Sequence, residues 1–350
     1  MTTRKDDKGK KYVTIKDVAK HAGTSIATVS YVLNDSKERY ISPELREKVL
    51  LAATELNYIK SGLASSLKGK ERGIIAVLTP QFENHFFMSI FIAIEKITNQ
   101  YGYVLSTCNT FDSVSHEREV LDRMARLRVD GYLIIPTVQG AENTKQIRSH
   151  GLPFVAIERP LDGVDDYDFV SSDNFDAAYA ITNHLIEMGH RDIGFIFWDT
   201  EISNLYERYF GYEQALKDHQ IPYCEDYIKK GNITHLDGAV LTDELLKEQK
   251  VTAIVYGHYI LAEGGIQYAR NQGVKIPEDI SMVLIGAPYW TRMNDTPFTC
   301  VVQPGSQMGE EAAKMLLKKI DMEQSQSEFI HRKIKSNIRY GKSVKDLRMK

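Results

Sequence analysis

The sequence predicts an all-helical N-terminal module of the helix-turn-helix kind, joined by a hinge to a two-lobed α/β body with parallel sheets. Three observations carry this. Residues 18–30 read as two short helices around a turn at Gly23. From Gly73 onward, continuous apolar runs of strand length alternate with helical stretches in two successive series, the pattern of parallel, doubly wound sheets. Charge is also uneven. Residues 1–72 hold 15 Lys and Arg against 9 Asp and Glu, a net of +6, whereas the remainder holds 29 against 38, a net of −9. A basic end attracts phosphate, and an acidic body keeps away from it.

Composition bounds the class. The chain has 350 residues and is 43% hydrophobic, which supports a large core and argues against wholesale disorder. No apolar run is long enough to span a bilayer. The first eleven residues are polar and lack an apolar signal core, so the expected location is the cytoplasm, at the nucleoid. Cys108, Cys224 and Cys300 are scattered, which fits reduced, buried thiols rather than a metal site or a disulfide set.

In the N-terminal module, Thr14 is placed to cap a first helix whose apolar positions are Ile15, Val18 and Ala19, ending near Ala22 and Gly23. Ser25 caps a second helix through about Leu33, with Val29 and Leu33 facing inward and Thr28 alongside. Ser42 and Pro43 open a third, with Leu45, Val49, Ala52, Ala53 and Leu56 as its apolar stripe. A plain three-helix bundle would read the same way. Two features favour a DNA reader: the second helix starts with small and hydroxyl-bearing residues, which permits close approach to base edges, and Lys11, Lys16, Lys20, Arg46 and Lys48 flank it for phosphates.

Several motifs in order carry a resemblance. Val13-Thr14-Ile15-Lys16-Asp17-Val18-Ala19, Thr28-Val29-Ser30-Tyr31-Val32-Leu33-Asn34, Arg46-Glu47-Lys48-Val49 and Glu55-Leu56-Asn57-Tyr58 resemble the lactose/galactose repressor (LacI/GalR) family. The resemblance implies that Ile26 and Ala27 occupy base-reading positions, with Tyr31 beside them and Thr28, Ser30 and Asn34 close to backbone or bases. The caps Thr14 and Ser25 complete the expected DNA-contacting set. Position 31 is often arginine in the family, so Tyr31 is a departure. Ile26 and Ala27 cannot form bidentate hydrogen bonds but can pack on thymine methyls, so part of the specificity is expected to be steric or indirect.

Ser61-Gly62-Leu63-Ala64-Ser65-Ser66-Leu67-Lys68 joins the two parts. On its own it reads as a flexible linker or an exposed helical turn. The resemblance implies a hinge helix that orders on operator DNA and inserts a leucine into the minor groove. Leu67 stands at that position, and the small Ala64 suits close approach of two such helices. Gly62 lowers helix propensity by about 1 kcal/mol relative to alanine, which favours an unfolded hinge off DNA.

In the body the expected strands are residues 74–78, 103–106, 131–135, 154–157 and 169–170, with helices at 87–101 and 116–126. The second series is a helix at 176–188, a strand at 193–197, a helix at 205–218, a strand at 253–256, a helix at 261–272 and a strand at 281–285. Two α/β lobes with a cleft between them follow, a natural ligand site. The resemblance extends through Ser172-Asp173-Asn174, Gly189-His190-Arg191-Asp192, Arg208-Tyr209-Phe210-Gly211 and Val301-Val302-Gln303-Pro304. It implies a fold like periplasmic sugar-binding proteins, with the chain crossing between lobes near Asn174, Gln303 and residue 332. The expected divisions are a DNA-binding domain at 1–60, a hinge at 61–72 and a body at 73–350. Lobe one would comprise 73–173 and 304–331, and lobe two 174–303 and 332–345, including a last strand at 334–339.

Each candidate for the effector site has a plainer alternative. Phe86 or Phe87 could stack on a sugar ring or belong to the core. Asp173 matches a cleft position but could cap a helix. Trp198 could be a stacking platform or a packed indole. Arg208 stands where the family places an effector-contacting arginine. Glu158 and Arg159 close the fourth strand and either reach the cleft or pair with each other. The family commonly has Asp or Asn near Tyr259 and Asp after Gly286, where this chain reads Gly257-His258-Tyr259 and Gly286-Ala287-Pro288-Tyr289. Aromatic Tyr259 and Tyr289 in place of acidic groups point to an effector that is stacked, larger than a monosaccharide, or not a sugar.

The expected function is that of a homodimeric repressor of carbohydrate-utilisation genes. It would bind palindromic double-stranded DNA under control of a small-molecule effector, with no cofactor, metal or membrane. A catabolite-control regulator answering to a protein co-regulator is an alternative. A sugar-binding receptor is another, and the DNA module counts against it. An enzyme is disfavoured: no G-x-S-x-G elbow, Walker loop or metal-ligand cluster occurs, and His116, His184 and His190 lack triad partners.

Overall fold

The computed structural model describes residues 13–34, 39–59, 72–200, 202–248, 250–321 and 328–348. They fall into two compact units, Met1–Arg72 and Gly73–Lys350. Lys11, Ala64 and Leu67 lie outside the described residues.

The first unit holds helices α1 (Ile15–Ala22), α2 (Ile26–Leu33) and α3 (Pro43–Glu55). Each starts where the sequence supplies a cap. The backbone N–H and hydroxyl of Thr14 both donate to the Asp17 carboxylate, at 2.8 and 2.7 Å. The hydroxyls of Ser25 and Ser42 accept the N–H groups of Thr28 and Leu45. Gly23 ends α1 at φ +64°, a left-handed conformation that lets Thr24 N–H reach back to the Ala19 carbonyl at 2.9 Å. Val18, Ala19, Ala22, Val29, Val32, Val49 and Ala52 form the core. The inward pair on α2 is therefore Val29 and Val32, one turn apart, while Leu33 is only half-buried.

The second unit contains two six-stranded sheets. The first comprises β1 (Ile74–Thr79), β2 (Val104–Asn109), β3 (Gly131–Ile134), β4 (Phe154–Ile157), β5 (Asp168–Ser172) and β11 (His331–Ile334), in the order β11-β5-β4-β3-β1-β2. All its pairings are parallel. The second comprises β6 (Ile193–Trp198), β7 (Ile228–Gly231), β8 (Ala253–Tyr256), β9 (Ser281–Ile285), β10 (Thr299–Val302) and β12 (Asn337–Arg339), in the order β12-β10-β9-β8-β6-β7. Here the pairings are parallel except for antiparallel β12 at the edge.

Apolar alternation explains why both faces are covered. On β1, Ile75 and Val77 face one core, and Ala76 and Leu78 the other. Helices α4 (His85–Gln100) and α12 (Gly305–Asp321) pack against each other over the first face, while α5 (Val114–Leu127) and α6 (Ala141–Ser149) cover the second. In the second sheet, Val255 and Val283 face α7 (Asn174–Glu187) and α8 (Ser203–Asp218). Ile254, Tyr256 and Leu284 face the side of α9 (His235–Glu248) and α10 (Tyr259–Asn271). Each fully buried Ile, Leu or Val contributes about 1.5–3 kcal/mol. A short helix, α11 (Trp290–Met293), follows β9.

Several expectations need correction. Residues 334–339 are not one strand. His331–Ile334 pairs with β5 in the first sheet, Asn337–Arg339 pairs with β10 in the second, and the crossing falls between them rather than at residue 332. The elements α6, β7, α9 and α12 are present where the sequence reading assigns none. Of the three thiols, Cys300 is buried, but Cys108 and Cys224 are half-exposed.

Candidate nucleic-acid interface and inter-lobe cavity

Helix α2 presents a divided surface. Val29 and Val32 anchor it to the core, whereas Ser25, Ile26 and Ala27 at its start are exposed. Ile26 is 45% exposed, a large apolar side chain that the unit itself leaves open. Thr28, Ser30 and Tyr31 are half-buried. The Thr28 and Ser25 hydroxyls lie 2.9 Å apart, and Asn34 Nδ2 donates to the Ser30 carbonyl at 2.7 Å. The polar residues named from the sequence thus hold the helix ends, while Ile26 and Ala27 offer apolar surface. Lys16, Lys20 and Lys48 are exposed.

Between the two sheets of the second unit lies a cavity of about 160 Å³. Phe86 and Phe87 reach it from the start of α4, and Trp198 from the end of β6. Leu205 and Arg208 reach it from α8, and His258 and Tyr259 from the turn into α10. Gln81, Asn84, Asp112, Glu158, Arg159, Ile233 and Gln303 complete the wall. Five effector candidates, Phe86, Phe87, Trp198, Arg208 and Tyr259, therefore meet at one cavity. Two do not line it. Asp173 caps α7, accepting Asp176 N–H at 2.9 Å. Tyr289 is 73% exposed and packs edge-on against His85, with ring centroids 6.4 Å apart.

The floor is a buried polar chain that crosses from one sheet to the other. Glu158 ends β4 at φ +61°, a left-handed conformation costing about 1–3 kcal/mol in a non-glycine residue. Its carboxylate accepts Ser172 N–H at 2.9 Å and the Ser172 hydroxyl at 2.8 Å. Asn204 donates to the Glu158 carbonyl. Arg208 Nε donates to Asn174 Oδ1 at 2.7 Å, and its Nη1 to the Gly257 carbonyl at 2.6 Å. Burial pushes the Glu158 carboxyl up, against the hydrogen bonds from Ser172 and the charge of Arg208. Burial likewise draws Arg208 down to about 10, so it stays charged at neutral pH.

Glu158 and Arg159 do not pair with each other. Arg159 forks onto Asp112 at 2.7 and 3.3 Å and also donates to the Pro136 carbonyl. His258 is held down to about 3 by burial and by the neighbouring guanidinium groups of Arg208 and Arg159. Its Nδ1 accepts Ile260 N–H at 3.2 Å, which leaves the ring proton on Nε2. A neutral imidazole, two guanidinium groups and aromatic walls suit hydrogen bonding to hydroxyls combined with stacking.

Sequence reasoning missed Asp112 and His258. Asp112 sits in a loop, and its signal is a positive φ of 53° rather than any motif. His258 stands in the very segment that departs from the family, but Tyr259 beside it drew the weight. Among the described residues, no group of three or more His, Cys, Asp or Glu could hold a metal ion. Nor is any described helix long and apolar enough to cross a membrane.

Residues 14–61 match the family model of bacterial regulatory proteins, lacI family. Residues 72–343 match that of periplasmic binding proteins and the sugar-binding domain of the LacI family. The HTH-type transcriptional repressor PurR of Histophilus somni is 31% identical over 338 residues, covering 95% of this chain and 99% of its own. The solved CelR–cellobiose complex is 26% identical with a TM-score of 0.70, covering 95% of this chain and 99% of its own. The lac repressor dimer bound to operator is 24% identical with a TM-score of 0.82 over 96% of this chain, a likeness of fold.

Proposed function

This chain belongs to the LacI family of DNA-binding transcriptional regulators, and from that premise we propose that it is a homodimeric repressor controlled by a small carbohydrate in the inter-lobe cavity. One observation carries the reading. A helical unit with an open, apolar-tipped second helix shares a chain with a cavity where Arg208 meets four aromatic side chains. The first part supplies a surface for bases, and the second a surface for a polyol ring.

In this reading Ile26 and Ala27 pack on base edges, with Tyr31 beside them. Thr14, Ser25, Thr28, Ser30 and Asn34 lie at the backbone or hold the helix that does so. Leu67 wedges into the minor groove at the dyad, next to the close approach of Ala64. A dimer follows because one recognition helix reads one half-site. Exposed apolar side chains support it: Met88 and Ile92 are one turn apart on α4, as are Leu236 and Val240 on α9. In the cavity, Arg208 and the Nε2 proton of His258 serve ligand hydroxyls, and Phe86, Phe87, Trp198 and Tyr259 supply the stacking faces.

The test is selection of duplexes from random-sequence DNA by the purified full-length chain, followed by titration at fixed salt. Enrichment of a palindrome bound about 10³-fold or more tighter than bulk DNA supports the reading. Enrichment of nothing, or of an asymmetric half-site alone, refutes the dimeric repressor.

A further inference from the structure

Helix α8 is fastened to both halves of the second unit. Its last turns belong to the core on the second sheet, through Tyr212, Ala215 and Leu216. Its first two turns reach the half built on the first sheet instead. The Ser203 hydroxyl donates to Asp162 Oδ1 at 3.1 Å, in the loop after β4. Asn204 donates to the carbonyl of Glu158 at the end of β4, and Glu207 accepts Lys333 Nζ from β11 at 2.6 Å. Arg208, next along, donates to Asn174 at 2.7 Å, where the chain leaves β5 for α7. By the 3.6-residue period, positions 203, 204, 207 and 208 share one side of the helix, so a single face makes all four contacts.

The two halves meet differently elsewhere. Across a space of about 350 Å³, exposed His85 of the first half faces exposed Tyr289 of the second edge-on, with ring centroids 6.4 Å apart. Such a contact constrains little. At the α8 edge, Asn204 and Glu158 are buried, and Glu158 is held at φ +61°. A strained residue of one half is thus gripped by the other, and such strain persists only where the surroundings over-determine it. Each hydrogen bond or ion pair from Ser203, Asn204 and Glu207 is worth a factor of a few in an equilibrium, so the three together amount to about 10–100-fold.

We propose that the first two turns of α8 are a latch that joins the two halves with no ligand bound, and that its strength sets the resting affinity for DNA. This rests on the reading of the second unit as the sensor for the first, and adds a ligand-independent control to it. The closed arrangement at this edge is then a property of Ser203, Asn204, Glu207 and their partners, and a ligand acts on a balance that the latch has already biased.

The test uses the ligand-free, full-length chain and two readouts. The first is pulsed dipolar spectroscopy between nitroxides at Glu142→Cys on α6 and Gln267→Cys on α10, both exposed, with Cys108 and Cys224 replaced by serine. Labelled chain is diluted into unlabelled chain, so that only distances within one chain count. The parent is expected to give one distance, and the triple variant Ser203→Ala, Asn204→Ala, Glu207→Gln a second one in at least about a tenth of the molecules. The second readout is the Kd for a selected palindrome, which the triple variant is expected to shift about fivefold or more. Glu207→Lys and Lys333→Glu are partly exposed and guard against a folding defect. Each alone is expected to shift that Kd about threefold in the direction of the triple variant, and the two together to return it to within about 1.5-fold of the parent. A single parental distance in the triple variant, or a double swap no closer to the parent than the single ones, overturns the latch. A second distance with an unchanged Kd overturns its control of DNA and counts against the sensor reading itself.

Discussion

Replacing Arg208 by methionine removes a charge while keeping most of the side-chain volume, so its cost is electrostatic rather than a cavity. The guanidinium makes two short hydrogen bonds in a buried setting, to Asn174 Oδ1 at 2.7 Å and the Gly257 carbonyl at 2.6 Å. A hydrogen bond to a charged group contributes about 1.5–3 kcal/mol, so losing both costs roughly 3–6 kcal/mol. For a unit of this size that corresponds to a fall in Tm of about 5–10 °C. The loss also depends on pH. Burial already raises the Glu158 carboxyl, and Arg208 is the charge that opposes the rise. A carboxyl raised in the folded state favours folding while protonated, and that contribution is lost as pH rises through its folded value. Without Arg208 the folded value climbs further. The deficit of Arg208→Met should therefore be largest near about pH 7.5 and shrink toward about pH 5. Urea denaturation of both proteins across that interval measures it. A variant within about 1 kcal/mol of the parent at neutral pH, or a deficit that grows on acidification, would refute the reasoning.

Three further outcomes follow from the same geometry. His258→Asn keeps a residue able to cap α10 but removes a group held at about 3 when folded and near about 6.5 when unfolded. The unfolded parent takes up a proton that the folded one refuses, so stability falls with pH from about 6.5 toward about 3 at up to about 1.4 kcal/mol per unit. The Asn variant should show a flatter acid limb in denaturation curves, and identical limbs would contradict this. Gly286→Ala places a Cβ at φ +108° and 3.2 Å from the Tyr259 ring. It should cost about 1–3 kcal/mol in chemical denaturation, and a neutral effect would contradict the strained backbone and close ring contact at this position. Leu67→Ala should weaken binding to a selected palindrome about tenfold or more while leaving non-specific binding at equal salt unchanged, and equal losses would sink the wedge.

Where apolar side chains fill a strand on both faces, the sequence states the element outright, as at Ile254, Val255 and Tyr256 in β8. The caps Ser25 and Ser42 fix two helix starts because a side-chain oxygen accepts an N–H that the helix cannot satisfy alone, and at Thr14 the Asp17 carboxylate reaches back to accept the cap residue's own N–H. Edge elements carry less signal. Strand β7 reads Ile-Lys-Lys-Gly and is half-exposed, and α6 carries no continuous apolar stripe, so neither announces itself. Crossings between sheets are harder still. Ser336 lies between β11 and β12, and nothing in its neighbours' residue types separates a parallel from an antiparallel edge. Arg208 could be named from the family resemblance, Tyr259 from the segment that departs from it, and Phe86, Phe87 and Trp198 as aromatic residues at a helix start or strand end. The partners that fix their electrostatics, Asp112 for Arg159 and Asn174 for Arg208, are set by distances that only the folded chain supplies.

The central claim is that a ligand in the cavity of the second unit controls DNA binding by the first. Fluorescence anisotropy on a labelled, selected palindrome, at fixed salt and with the full-length chain, tests it with and without a saturating sugar that calorimetry shows to bind. The account predicts a change in operator Kd of about 5–150-fold, with the reciprocal change in sugar affinity on the DNA-bound protein. An unchanged operator Kd with the sugar demonstrably bound would contradict it.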